Sequence, residues 1–391
     1  MNKREIKDFL LYNCPDIPAL RRFLAQKKVA ELKSRLMTEQ EIQQGEKDWE
    51  TRKKLVKKYV ALKSKYAENA NGKIDMLLRN APCFQGNADL EKARVDMQFC
   101  RFAYGFEPDE YVFFHLEEKS AEERRDYISN LDRIIAAFRM NDFSDMQILK
   151  DKWKTYTLLK PYYGRDAILL QGRSDYNKFL SFIQKHPVFI KKRLNLGMGE
   201  SVELYDVTTC GMTCCDLFKK LIKEGKLILE EKIIQSKITE VFNESSVNTA
   251  RFFTFNTKNG IRSMGFVRTG RPGAVVDNAG SGGVFAAFDV QTGIVVADGS
   301  DELGNRYRVH PDSGVPYIGF QLPEWEKAVA LCYEAVEYLP RVKYIGWDLA
   351  YTDQGWVIVE ANMSGQFVQQ ACIGGLKEEL NAIMKEMDLI V

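Results

Sequence analysis

The sequence predicts a mixed fold in which helices come first and strands later, and three features predict it. Residues 1 to about 90 read as helical, with apolar residues at helical spacing in the charged stretch 17–66. Apolar stretches of strand length occupy residues 187–190, 227–233 and 247–255. Residues 342–365, VKYIGWDLAYTDQGWVIVEANMSG, alternate as two short strands about a turn. At 391 residues, 45% hydrophobic and 28% charged, the chain can bury a large core and divide into two or three packed units. A formal net charge of +2 gives no overall field for nucleic acid, so none is expected as a partner. No apolar run approaches the roughly 18 residues of a membrane span, and the first residues lack the apolar core of a signal peptide. The cytoplasm is therefore the expected location. Eight cysteines in such a chain are too sparse for a disulfide framework.

Within residues 17–66, Leu55, Tyr59 and Leu62 fall on one helical face, giving an amphipathic helix pair that serves as an appended subdomain or a homodimer surface. Arg52, Lys53, Lys54, Lys57 and Lys58 read as its solvated face; the functional alternative is docking to an acidic glycan carrier or a membrane surface. Turn-rich segments at 69–72 and 85–88 mark boundaries, and Ser120 and Glu123 are spaced as a capping box after a short apolar stretch. Lys152 precedes a helix whose apolar residues are Trp153, Tyr156 and Leu159. The strand at 187–190 leads into Lys191, Lys192 and a loop with Gly197 and Gly199, where backbone N–H groups can approach phosphate oxygens. Cys210, Cys214 and Cys215 lack a second paired motif and a nearby histidine, so they are expected at a helix start near Asp216 rather than around a metal. The strand at 227–233 runs out into Glu230, Glu231 and Lys232.

Arg251 begins an aromatic strand and Arg268 lies on the next; each offers a planar fork of donors to a phosphoryl or acyl phosphate group. Around Asn278, Gly282 and Gly283 make a loop able to close as a lid. His310 is a loop histidine that would bind an acceptor, act as a base, or stand by. A helix over 323–339 should begin with Pro323 in its first turn and turn Trp325, Val329, Cys332 and Val336 inward, and another should close the chain over 376–387.

In the hairpin, Gly355 supplies the positive φ at the end of a three-residue loop. With Thr352 facing Trp356, Asp348 falls opposite Glu360. Tyr344, Gly346, Asp348, Glu360 and Asn362 then share one face, with Ile345, Trp347, Leu349, Val357, Val359 and Ala361 on the other. Opposed carboxylates repel by about 0.2–1 kcal/mol, a penalty that a divalent cation removes. Asp348, Glu360 and the Asn362 amide oxygen form a hard oxygen set of the kind Mg²⁺ accepts; the alternative is a hairpin whose acids face water.

In their order along the chain these motifs resemble the ATP-grasp superfamily, and most of all its RimK-like carboxylate–amine ligases and the sugar-transfer associated ATP-grasp proteins. The resemblance implies an α+β fold in which two α/β subdomains clamp ATP. A helical N-terminal extension would cover 1–90, a lead-in region 91–147 and the ATP-grasp domain 148–391. It implies that Lys152 and Lys191 reach the nucleotide phosphates, with Lys192 as the neighbouring alternative, and that the loop of Gly197 and Gly199 lies over them. The backbone of Glu231, Lys232 and Ile233 would meet adenine, and the Glu230 or Glu231 carboxylate the ribose or base. Asn278 would lie near the phosphates or the acceptor. Arg268 would steady the intermediate, with Arg251 and Arg271 behind it, while Asp348, Glu360 and Asn362 hold Mg²⁺, two ions in all. Met363, Ser364 and Gly365 stand where the family commonly has a Ser-Pro-Gly turn. The implied activity is ATP-dependent ligation of a small carboxylate to an amine through an acyl phosphate, on an amino acid and a sugar acid, nucleotide-sugar or glycan precursor of polysaccharide biosynthesis. A phosphotransferase acting on a hydroxyl and a non-catalytic nucleotide-binding module are the alternatives.

Overall fold

The computed structural model describes residues 18–86, 88–194, 202–274, 277 and 282–389. Among the described residues, helices account for every named element but short 3-10 turns from Pro18–Lys33 to Lys152–Tyr163. Polar caps set many of their starts. Thr38 and Glu41, Ser120 and Glu123, and Ser129 and Asp132 form reciprocal capping boxes, and Asp48 and Asp89 accept from the first turns of their helices. The region 91–147 is thus helical as well. Its apolar stretch is the buried helix Pro108–Phe113.

The strands form two antiparallel sheets. β1 (Ala167–Leu170), β2 (Val188–Arg193), β3 (Glu203–Asp206) and β4 (Leu227–Glu231) make the smaller, in the order β1-β4-β2-β3. The larger holds β5 (Thr249–Thr257), β6 (Gly260–Thr269), β7 (Val284–Ala287), β8 (Gly299–Ser300), β9 (Arg306–Tyr307), β10 (Tyr344–Thr352) and β11 (Gly355–Asn362), in the order β11-β10-β5-β6-β7-β8-β9.

Strand alternation gives the large sheet two apolar faces. Phe253, Phe255, Phe266, Phe285 and Tyr344 form one core with Ile74, Leu77, Phe113 and Met140 of the N-terminal helices. Phe252, Val267, Ala286, Ile345 and Trp347 form another with the helix Trp325–Val336 and with Tyr156 and Leu159. At about 1.5–3 kcal/mol for each large apolar side chain buried, both layers are integral to the sheet. Residues 70–84 thus share the core of the sheet, whereas Leu55, Val56 and Tyr59 pack in a separate cluster with Phe99 and Phe102. The small sheet has its own cluster, centred on Phe179, Phe182, Phe189, Leu217 and Leu221.

Several local expectations change. Leu62 is exposed while Leu55 and Tyr59 are buried. Arg52 is no part of a solvated face: it reaches Asp96 at 2.6 Å and lies over the Phe99 ring. The helix expected over 323–339 begins at Trp325, with Pro323 outside it accepting the Trp356 indole N–H at 2.7 Å. Cys214 and Cys215 do open a helix, capped by Thr213, and are exposed. No described helix is long and apolar enough to cross a membrane.

Candidate active site

The large-sheet face that packs on the N-terminal helices continues beyond them as charged residues. Along β10, β5 and β6, Tyr344, Phe253 and Phe266 give way to Asp348, Arg251 and Arg268 at the same strand parity. Asp348 pairs directly with Arg251 on one side and Glu360 on the other.

The turn that produces this register differs from the expected one. Thr352 pairs with Gly355, whose φ is 105°, around a two-residue turn, and the pairing then shifts between Asp348 and Leu349, leaving Val359 as an extra residue. The bulge restores Asp348 to Glu360 and exchanges the faces beyond it. Val357, opposite Ala350, consequently lies on the carboxylate side, and Ile358 and Trp356 take the core positions expected of Val357 and Val359.

Asp348 is 5% exposed and accepts from Arg251 Nε, from Arg251 Nη2 at 2.9 Å and from Arg268 Nη2 at 2.9 Å. Burial raises its pKa, but the two guanidinium charges outweigh burial and hold it below the ordinary carboxylate value. Arg268 also donates to Thr249 Oγ1 at 2.8 Å and faces Asp277 at 3.6 Å; burial lifts the Asp277 carboxyl against the opposing pull of Arg268. The Asn362 side-chain N–H points at Asp348 Oδ2 at 3.4 Å, and its amide oxygen accepts no hydrogen bond among the described residues. Glu360 pairs with the Lys152 ammonium. Lys152 is the first residue of a helix capped by Asp151, whose carboxylate accepts the N–H groups of Trp153 and Lys154.

The small sheet supplies the opposite wall. Lys192, Glu230 and Tyr163 line a narrow cleft together with Lys152, Glu360 and Ala361. Glu230 is 4% exposed; its Oε2 accepts from Lys192 Nζ at 2.9 Å and from Arg165 Nε at 2.9 Å. Burial opposes ionisation there, yet Arg165 and Lys192 bring the Glu230 pKa down to about 2. Lys191, expected here, is on the other side of β2. Its ammonium is buried between Glu203 and Glu224, 2.6 Å from each, because consecutive strand residues point to opposite faces. The lysine beside Lys152 is Lys192.

The remaining expected residues divide. Gly197, Gly199 and Asn278 lie outside the described residues. Glu231 accepts the Asp166 N–H at 3.0 Å and stands beside the His186 ring at 3.6 Å, Lys232 is exposed and Ile233 partly buried. Arg271 pairs with Asp312 and, among the described residues, takes no part in the Asp348 cluster. His310 is fully buried, its Nε2 bonded to Gly270 O at 3.0 Å and its Nδ1 accepting from Asp312 and Ser313 N–H groups at 3.3 Å; burial lowers its pKa, and the ring braces a loop. Thr249, Asp277 and above all Arg165 were missed by the sequence reading. Arg165 donates to the carbonyls of Ile358 and Val359 at 2.6 and 2.9 Å, so one guanidinium joins Glu230 of the small sheet to the bulge of the large one.

The sequence profile of the sugar-transfer associated ATP-grasp family matches residues 137–385, well over half of the chain. The chain belongs to this family. Its α+β architecture is accordingly the ATP-grasp fold. No curated protein matched the sequence. Similar solved structures include the ATP-grasp ligase PsnB with a precursor variant, Mg and ADP (10% identity, 63% of this chain and 62% of that one, TM-score 0.38). Others are D-alanine–D-alanine ligase from Bacillus anthracis (12%, 63% and 69%, 0.37) and N5-carboxyaminoimidazole synthase from Aspergillus clavatus with ADP and its ribonucleotide (12%, 64% and 55%, 0.38). This ATP-grasp chain thus spans 62% of the length of PsnB. Likenesses this distant assign no residue and no substrate.

The donor set suits a small hard cation. Two carboxylates face each other across β10 and β11, and an amide oxygen with no described partner stands beside them. The carboxylates are balanced by Arg251, Arg268 and Lys152.

Proposed function

We propose that this ATP-grasp chain is an ATP-dependent ligase that joins a small carboxylic acid to an amine, with a sugar acid or glycan precursor as the expected substrate class. The observation that carries the reading is the direct pairing of Asp348 with Glu360, next to Asn362, at the point where Arg251, Arg268 and Lys152 converge. Mg²⁺ held by Asp348, Glu360 and Asn362 would supply charge neutralisation for the phosphates. Lys152 and Lys192, which reach the cleft from opposite walls, hold phosphate oxygens, and Glu230 with the strand end after it faces the nucleoside. The substrate carboxylate attacks the γ-phosphorus, ADP departs and an acyl phosphate forms; Arg268, fixed by Thr249 and Asp277, steadies its negative charge. The amine then attacks the carbonyl carbon, phosphate leaves with the bonding pair, and the nitrogen loses a proton to give the amide.

Incubation with Mg-ATP, a panel of sugar acids and amino acids, and hydroxylamine tests the reading. ADP release with hydroxamate formation supports it. A stable phosphorylated product without hydroxamate would replace it with a phosphotransferase, and absence of ADP release across the panel would leave a nucleotide-binding module.

A further inference from the structure

The arginines around Asp348 are ion-paired: Arg251 with Asp348, and Arg268 with Asp348 and Asp277. Arg133 differs. It projects from the helix Asn130–Met140, at the edge of the helical layer that borders the site. Its Nη1 donates to Ser364 Oγ at 3.0 Å and its Nη2 to Asn130 Oδ1, while its Nε is buried without a partner. Among the described residues no carboxylate lies within salt-bridge distance of this guanidinium. The Glu110 carboxyl feels this charge at longer range, but burial pushes its pKa well up, so an arriving anion would meet a guanidinium hydrogen-bonded only to neutral groups.

Ser364 is two residues beyond Asn362, and Gly365 follows. A methyl group on Gly365 would stand 2.5 Å from Arg251 Nη1, so the absent side chain lets that nitrogen lie over the turn. Arg251 gives its Nε and Nη2 to Asp348, whereas its Nη1 has no hydrogen bond among the described residues. Tyr344 Oη fixes the same turn, accepting from Gly365 N at 3.1 Å and donating to its carbonyl at 3.0 Å. Both guanidinium charges act on this phenol, which burial nonetheless raises to about 12. The Arg133 guanidinium, which has no carboxylate within salt-bridge distance among the described residues, and the unengaged Nη1 of Arg251 therefore lie against the adjacent residues Ser364 and Gly365.

We propose that Arg133, with Ser364, seats a second anionic group of the acid substrate, a carboxylate or phosphate a few carbons from the carboxylate that faces Arg251. The identity of this ligand as a substrate rests on the ligase reading; the seat itself rests on the geometry. A short diacid spans two guanidinium groups separated by one turn, whereas a monoacid leaves Arg133 unpaired. The helical layer thereby selects among acids.

The test uses butanoate, pentanedioate and 4-phosphonobutanoate as probes of the full-length chain. Calorimetric binding in the presence of Mg-ADP is paired with Mg-ATP turnover in hydroxylamine. Pentanedioate or the phosphono acid should bind at least tenfold more tightly than butanoate. Arg133→Met should weaken that binding by about 30-fold, the range of a charge-assisted hydrogen-bond pair. Arg133→Lys should recover part of it, and Ser364→Ala should lose a smaller share. Thermal unfolding of each variant reports whether the fold is kept, and Arg133→Lys remains decisive if Arg133→Met is unstable. Equal binding of the diacid by the unaltered chain and both Arg133 variants, no preference over butanoate, or no binding of any probe overturns the seat. Arg133-dependent binding without ADP release or hydroxamate supports the seat and removes the ligase reading instead.

Discussion

Replacing Arg165 by methionine keeps most of the side-chain stem and removes the guanidinium that joins the two sheets. It deletes contacts to Glu230 at 2.9 and 2.7 Å, to Tyr163 O at 3.1 Å, to Ile358 O at 2.6 Å and to Val359 O at 2.9 Å. It also deletes the stacking of the guanidinium on the Tyr163 ring at 4.6 Å. Glu230 would keep Lys192 as its sole cation, and two carbonyls of the bulge would lose their donor. Removing one member of a buried ion pair costs about 3–5 kcal/mol, and each stranded carbonyl about 1 kcal/mol more where water cannot reach it. These terms overlap, so the expected loss is about 4 kcal/mol. Glu230→Gln retains an acceptor and should cost about 2 kcal/mol. In the double variant the unpaired carboxylate is gone, so its loss should fall short of the summed single losses by about 2 kcal/mol. Urea unfolding of the four proteins, followed by circular dichroism and tryptophan fluorescence, measures the cycle. A cost below 1 kcal/mol for Arg165→Met, or strict additivity, would refute the role of this residue as the tie between sheets.

Lys192→Met should weaken Mg-ATP binding by at least tenfold, whereas Lys191→Met, which leaves Glu203 and Glu224 facing each other, should lower the unfolding midpoint and change nucleotide affinity less than threefold; titration with a fluorescent ATP analogue and thermal unfolding separate the two. Glu360→Gln should reduce Mg-dependent ADP release by more than 100-fold with little change in midpoint, since Glu360 is partly exposed, while Asp348→Asn should lower both activity and midpoint because Arg251 and Arg268 are left buried without their carboxylate. Glu230 has a folded pKa lowered from 4.5 to about 2. The stability it contributes is thus fully present above about pH 4.5 and is lost as pH falls toward 2. The acid limb of the midpoint-versus-pH curve should be flatter in Glu230→Gln than in the unaltered chain, and identical limbs would refute that linkage.

The facing of Asp348 and Glu360 was legible because period-two alternation and a short turn leave few registers for so brief a hairpin. The turn itself was not, since a bulge at Val359 compensates for a loop one residue shorter, and only the tertiary tie through Arg165 shows why the bulge sits there. The choice between Lys191 and Lys192 was illegible for a related reason: adjacent strand residues are equivalent until the faces of β2 are known. Arg165 left no motif because its partners lie 65 and 193 residues away. A short apolar run such as that near Tyr111 and Phe114 fits a strand or a buried helix equally, so the sequence leaves the architecture of the lead-in region open. Arg52 resembles the surface lysine run in sequence and differs through Asp96 and Phe99, more than 40 positions on.

The large sheet is buttressed on both sides, by the N-terminal helices and by the helices of Lys152–Tyr163 and Trp325–Val336. It therefore behaves as a fixed anvil. The four-stranded sheet has its own apolar centre and meets this anvil through Ile228, with Ala167 and Leu194 beside it, and through the Arg165 tie. Cutting that tie by Arg165→Met should quicken hydrogen exchange at β1 and β4 while exchange in β5 and β10 stays slow.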